Sequence, residues 1–182
     1  MKKLLFSAVI MLTVLAAGAQ VHGTRTGHIH FFSSTKMENI EADNHSVNVV
    51  LQVKTGTLQF SAQVKSFAFE KALMQEHFNE NYMESNTYPK ADFKGKIDNI
   101  AAIDLTKDGT YQGKISGSLT MHGVTRAITA DAQFVVAGGK ISGESIFNVN
   151  PKDYNIAIPS AVVDKISENI AVTVKVNLDK MQ

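Results

Sequence analysis

The chain has 182 residues, 18 Lys and Arg against 17 Asp and Glu, and no cysteine. That length can bury one sizeable core. The missing cysteine excludes disulfide scaffolds, Cys-ligated zinc, iron–sulfur centres, a thiol nucleophile and a lipid-anchored lipoprotein, and near-neutral charge without a basic block argues against a nucleic-acid binder.

Lys2 and Lys3 form a short positive region, and Leu4 to Leu15 then run apolar, broken only by Ser7 and Thr13. Ala17-Gly18-Ala19 closes the segment with small residues. This pattern predicts a secretory signal peptide over 1–19, cleaved between Ala19 and Gln20, with one domain over 20–182. A membrane-spanning helix needs about 20 apolar residues, and this run is shorter. The expected location is the periplasm or, further out, the medium, with no stable membrane insertion.

From there the hydrophobic pattern has a period of two. A strand is expected over 26–34. Val47, Val49, Leu51 and Val53 alternate with more polar neighbours, Thr55-Gly56 supplies a turn, and Leu58, Phe60, Ala62 and Val64 resume, so 46–65 reads as a hairpin. Residues 67–84 carry Phe69, Leu73, Phe78 and Met83 among charged residues, at spacings that predict a short helical insertion. Another strand is expected over 92–104. Tyr111, Gly113, Ile115, Gly117, Leu119 and Met121 share one face of the next. His122-Gly123 marks a turn into a strand with Ile128, Ala130, Ala132, Phe134 and Val136. Gly138-Gly139 leads to Ile141, Gly143, Ser145, Phe147 and Val149. A long apolar-studded loop follows over 150–168, with a helical turn expected at 160–165, before a last strand with Val172, Val174, Val176 and Leu178.

Seven or eight strands with short connections imply an all-β, antiparallel domain. The sheet must close on itself or pack on a second sheet. Small residues on the apolar faces (Gly113, Gly117, Ala130, Ala132, Gly143, Ser145) either leave room for a ligand or are filled by large partners. Periodicity leaves barrel and sandwich both open.

For catalysis the sequence offers little. It has no GxxxxGK[ST], GxGxxG or GxSxG run, and no cofactor is expected. His28 and His30 project from one strand face, and such a pair can ligate a metal if His45, His122 or a carboxylate joins them. Two solvated histidines on a polar face are the simpler reading, and no metal is assigned.

Three stretches carry a family resemblance: Gly117-Ser118-Leu119-Thr120-Met121-His122-Gly123-Val124-Thr125; Leu73-Met74, His77-Phe78, Met83-Glu84-Ser85 and Tyr88-Pro89-Lys90-Ala91-Asp92-Phe93; and the run from Phe147 through Tyr154 to the last strand. In order and spacing they resemble the YceI-like family of exported bacterial proteins. The chain departs from that pattern in its first strand, which lacks Asp-x-x-His-Ser, and at Asn150-Pro151-Lys152-Asp153-Tyr154, which lacks an Arg before the aromatic. The resemblance implies an eight-stranded, lipocalin-like antiparallel β-barrel that carries an apolar lipid or isoprenoid chain in an interior tunnel and is not an enzyme. The alternative is a non-catalytic barrel with a filled core, acting through its surface as an interaction or stress-protection module. The expected tunnel wall is Leu58, Phe60, Tyr111, Ile115, Leu119, Phe134, Phe147 and Val174. The expected lid is Phe69, Leu73, Met74, Phe78, Tyr82, Met83, Tyr154 and Ile156, with His77 placed to hydrogen-bond a headgroup. An apolar mouth or an open sheet edge could support a homodimer.

Overall fold

A computed structural model describes residues 20–181, so the expected signal segment lies outside the described residues. Eight strands follow one another: β1 (Val21–Ser34), β2 (Asn39–Gln52), β3 (Thr57–Gln63), β4 (Lys90–Asp98), β5 (Gly109–Met121), β6 (Val124–Ala137), β7 (Lys140–Val149) and β8 (Ile170–Lys180). Each pairs antiparallel with its successor, and β8 returns to β1 to close a barrel. That closure decides against the sandwich and leaves no unpaired edge. It also removes the open edge on which a dimer could have formed by strand addition.

Local chemistry fixes the register. His122 (φ 50) and Gly123 (φ 73) are both left-handed, as a two-residue hairpin turn with the right twist demands. Gly138 and Gly139 do the same between β6 and β7. The pairing of β1 with β2 slips twice, once between Thr24 and Gly27 and once between Gly27 and Ile29. At the second slip Gly27 faces Val47 but Ile29 faces Asn44, so β2 carries one extra residue. This is a β-bulge. His45 and Ser46 both face solvent as a result, and Asn44 turns fully inward. The Asn44 side chain stabilises the bend: its Nδ2 donates to the Gln63 carbonyl and its Oδ1 accepts from the Ser46 N–H, both at 2.8 Å.

The connections divide the barrel into two ends. One end holds the β2–β3 and β6–β7 turns, Gln20 and Met181 at the limits of the described residues, and the segment after β4, while the β1–β2 and β5–β6 turns lie at the opposite end. The expected strand over 92–104 stops at Asp98, because Asn99 takes a left-handed conformation (φ 53). A short 3-10 turn (Ile100–Ala102) then carries Ile103 and Leu105 back across the barrel end as a buried plug. The other end holds the long connections. Between β3 and β4 run a 3-10 turn (Val64–Ser66), which ends the expected hairpin early, and then, within the expected helical insertion, a helix α1 (Ala72–His77) and a π-helical turn (Phe78–Tyr82). Between β7 and β8 the expected loop contains two 3-10 turns, Pro151–Tyr154 and Ser160–Lys165.

The interior contains two apolar clusters. The larger fills the plugged end with Val49, Leu51, Leu58, Ile97, Phe134, Val136, Ile141 and Leu178. The smaller, with Val64, Met83, Val149, Tyr154 and Ile156, lies under the long connections.

Candidate functional site: an apolar cavity at the lid end

A cavity of about 580 Å³ opens between these clusters. Its walls are the inward faces of β1 (Ile29, Phe31, Ser33), β3 (Phe60, Ala62), β4 (Ala91, Phe93), β5 (Ile115, Leu119, Met121), β6 (Ile128, Ala130), β7 (Ser145, Phe147, Val149) and β8 (Ile170, Val172, Val174). Its lid is the 67–83 segment with Phe67, Phe69, Leu73, Met74, His77, Phe78, Tyr82 and Met83, joined by Ile156, Ile158, Val162 and Ile166 from the β7–β8 loop. Volumes of this size suit one small molecule. From Met121 at the rim to Ile115 near the floor, β5 runs six residues, roughly 20 Å along the strand at about 3.3 Å per residue and about 15 Å along the barrel axis for a typical strand tilt.

The floor has a physical cause. The Phe60 and Phe93 rings meet edge to face with centroids 6.1 Å apart. The Phe93 ring lies over Gly95 and Gly117, where an added Cβ would come within 2.5 and 2.6 Å of its Cζ. Below, Phe134 and Ile103 fill the space beside Gly113, and Val176 and Phe134 that beside Gly143. These glycines accommodate large neighbours. Of the small inward residues that suggested free volume, only Ala130 and Ser145 line the cavity.

Thirteen expected residues therefore come together on one surface: Phe60, Ile115, Leu119, Phe147 and Val174 in the wall, and Phe69, Leu73, Met74, His77, Phe78, Tyr82, Met83 and Ile156 in the lid. Four do not reach it. Leu58 and Phe134 point inward as expected, but below the floor, where they are packed core. Tyr111 packs against the same core, with its hydroxyl donating to the Lys107 carbonyl at the plugged end. Tyr154 is 3 % exposed and packed with Val64, Met83, Val149 and Ile156, and it does not line the cavity.

The sequence reading missed β1 altogether as a wall. Phe31 is the centre of the lid's aromatic cluster, with ring centroids 5.6, 5.7 and 5.7 Å from Phe67, Phe69 and Phe78. The Ile29, Phe31, Ser33 alternation was the available signal.

The surroundings are apolar. Burial alone pushes the Tyr82 phenol above its ordinary value. The two wall serines have engaged hydroxyls: Ser33 Oγ accepts from the Ser167 N–H at 2.8 Å, and Ser145 Oγ donates to the Asp131 carbonyl at 2.7 Å. Charge is confined to the mouth, where Glu38 lies 3.7 Å from Lys71 of the lid and 3.9 Å from Lys165 of the β7–β8 loop. Met37, Leu73 and Val163, on the same three segments, are 69, 61 and 44 % exposed. His122 is not near His28; its Nδ1 lies 3.0 Å from the Tyr154 carbonyl and its ring packs on Tyr88.

A family model described as the YceI-like domain matches residues 13–178. No curated protein matches the chain. Among solved structures, a polyisoprenoid binding domain from Saccharophagus degradans, implicated in plant cell wall breakdown, superposes with a TM-score of 0.76 at 16% identity, covering 90% of this chain and 99% of that one. BcnA of Burkholderia cenocepacia gives 0.69 at 14% identity, covering 85% and 96%. A YceI protein of Campylobacter jejuni gives 0.60 at 17% identity, covering 100% and 91%. At these identities the likeness is one of fold.

Proposed function

The chain belongs to the YceI-like family, and from that premise we propose that it is a binding protein that holds an apolar lipid or isoprenoid-type chain in the lid-end cavity. The observation that carries this reading is the cavity itself, its walls apolar apart from Ser33 and Ser145 and its charged residues confined to the mouth. An empty apolar void costs stability at about 24 cal/mol per Å³ of volume, so a hollow half-barrel is better explained by an occupant. The polyisoprenoid binding domain of Saccharophagus degradans, which shares the fold, supports an isoprenoid-type occupant.

Transfer energetics set the terms. Each buried methylene gains about 0.8 kcal/mol against water, and chain ordering and binding costs consume much of the total. The competitor in a cell envelope is the bilayer, which solvates the chain equally well. A carrier must therefore offer a preformed cavity and a mouth that opens. Here the exposed Met37, Leu73 and Val163 would ease the chain across the rim. The signal-like segment over 1–19 supports work in the periplasm, with an apolar lipid as its main partner. The filled-core interaction module is disfavoured by the hollow lid end.

The test is to purify the protein from membrane-containing cells, extract it with organic solvent and analyse the extract by mass spectrometry. A chain-bearing lipid in near-stoichiometric amount is expected. An empty extract, together with failure to bind any of a panel of fatty acids and prenols, would overturn the reading.

A further inference from the structure

On the outer face of the barrel wall three residues of β1 and β2 converge. His28, Asp43 and His45 each offer one ligand atom, and these atoms lie within 4.8 Å of one another. His28 Nε2 lies 2.6 Å from Asp43 Oδ1, and His30 Nδ1 lies 3.1 Å from the same oxygen. The His28 and His45 rings stack with centroids 4.3 Å apart and planes 7° apart. Glu41 Oε2 lies 3.8 Å from His30 on the far side. Lys175, the ladder neighbour of His28 on β8, extends its ammonium 3.4 Å from Glu144 instead.

The backbone builds this group. Asp43 and His45 are two apart on β2 and share its outer face. The register that pairs Ile29 with Asn44 carries His45 beside His28, and the bulge begins only after it, at Ser46. Asp43 is fixed from both sides: it pairs with His30 of β1, and its N–H and carbonyl bond Ala68 at 3.1 and 2.8 Å. A donor set on rigid, paired strands is preorganised in a way that loop residues are not.

We propose that His28, Asp43 and His45 form a binding site for a divalent transition metal, of which zinc and copper fit the donors. Two imidazoles and one carboxylate are the borderline donor set these ions prefer over calcium or magnesium. A tetrahedral shell with bonds of about 2.0–2.1 Å spaces its ligand atoms roughly 3.4 Å apart. The atoms lie within 4.8 Å of one another, so that spacing is reached when the wider separations close by at most about 1.4 Å, the His28–Asp43 contact opens and the stacked imidazoles turn so that both nitrogen lone pairs face the ion. The metal takes the place of the direct contact between His28 Nε2 and Asp43 Oδ1, and a water completes the shell. This site is independent of the cavity and of any lipid in it.

The test uses purified protein stripped with EDTA and titrated with zinc chloride by calorimetry and with copper chloride by electron paramagnetic resonance. One zinc per chain is expected, and the copper spectrum should show nitrogen hyperfine coupling from two imidazoles. His45→Ala and Asp43→Asn should each weaken zinc binding at least tenfold with unchanged far-ultraviolet circular dichroism. His77→Ala, on the lid, should leave it unchanged. Absence of saturable one-to-one binding would overturn the proposal. So would an affinity unmoved by both outer-wall substitutions, or a copper spectrum without nitrogen coupling.

Discussion

The two halves of the barrel interior are built from the same alternating strands and differ in what stands opposite the small residues. At the plugged end Gly113 and Gly143 face Phe134, and the result is solid core. At the lid end Ala130 and Ser145 face open space. Small inward residues therefore do not specify a cavity. The cavity exists because the long connections at one end span the barrel mouth above its floor, whereas Ile103 and Leu105 at the other end fold inside. Stability and binding should accordingly separate along the barrel axis.

The strongest way to break that separation is a deletion in the solid half. Phe134→Ala should lower the unfolding free energy by about 3–5 kcal/mol, as large core truncations do, while the folded fraction keeps its bound chain. Urea unfolding and mass spectrometry of the same preparation read both quantities, and loss of the chain would show that the halves are coupled. A matched pair of enlargements is the next largest test. Gly113→Ala places a Cβ 3.0 Å from Ile103 Cδ1 and 3.1 Å from Phe134 Cε2, and should cost about 1–3 kcal/mol as overpacking. Ala130→Leu extends into the cavity and should change stability by less than about 1 kcal/mol while cutting the bound chain at least tenfold. Equal stability costs would refute the contrast.

Two smaller effects sharpen the picture at the mouth and in the wall. Glu38→Gln removes the charge between Lys71 and Lys165. It should speed release of a fluorescent fatty acid severalfold in stopped-flow displacement, with stability moving by less than about 1 kcal/mol, since the ion pairs are partly exposed. The Tyr82 phenol, raised by burial, favours its neutral form in the fold. Its contribution to stability is full below a pH of about 10, the ordinary phenol value, and is lost as the pH rises through the higher value in the fold. Tyr82→Phe should flatten that alkaline loss slightly in a pH series of thermal melts.

Most of the fold was legible, because a period of two survives in each strand and the turns carry Gly at the left-handed positions. The failures have local causes. The start of β2 was hidden because the bulge at His45-Ser46 breaks the alternation, and a polar Asn44 stands where an apolar residue was expected. The end of β4 was overrun because Ile100 and Ile103 read as strand residues while packing into the plugged end. In the site, the lid was legible from its dense aromatic and Met content. The depth of the floor was not, since which of two inward residues on one strand meets a ligand depends on partners across the barrel. Leu58 and Phe60 show this: they are two apart on β3, yet one is core and the other cavity wall. The grouping of His28 with Asp43 and His45 rests on the register of β1 against β2, which periodicity alone does not set.

A cup has one opening, and that fixes the order of traffic. The part of a cargo that enters first must leave last. An amphiphile that slides in by its apolar tail keeps its other end at the rim among Glu38, Lys71 and Lys165 from loading to release. An acceptor waiting outside would meet that end first, so hand-over needs no turning of the cargo within the barrel, and two cargoes cannot pass one another.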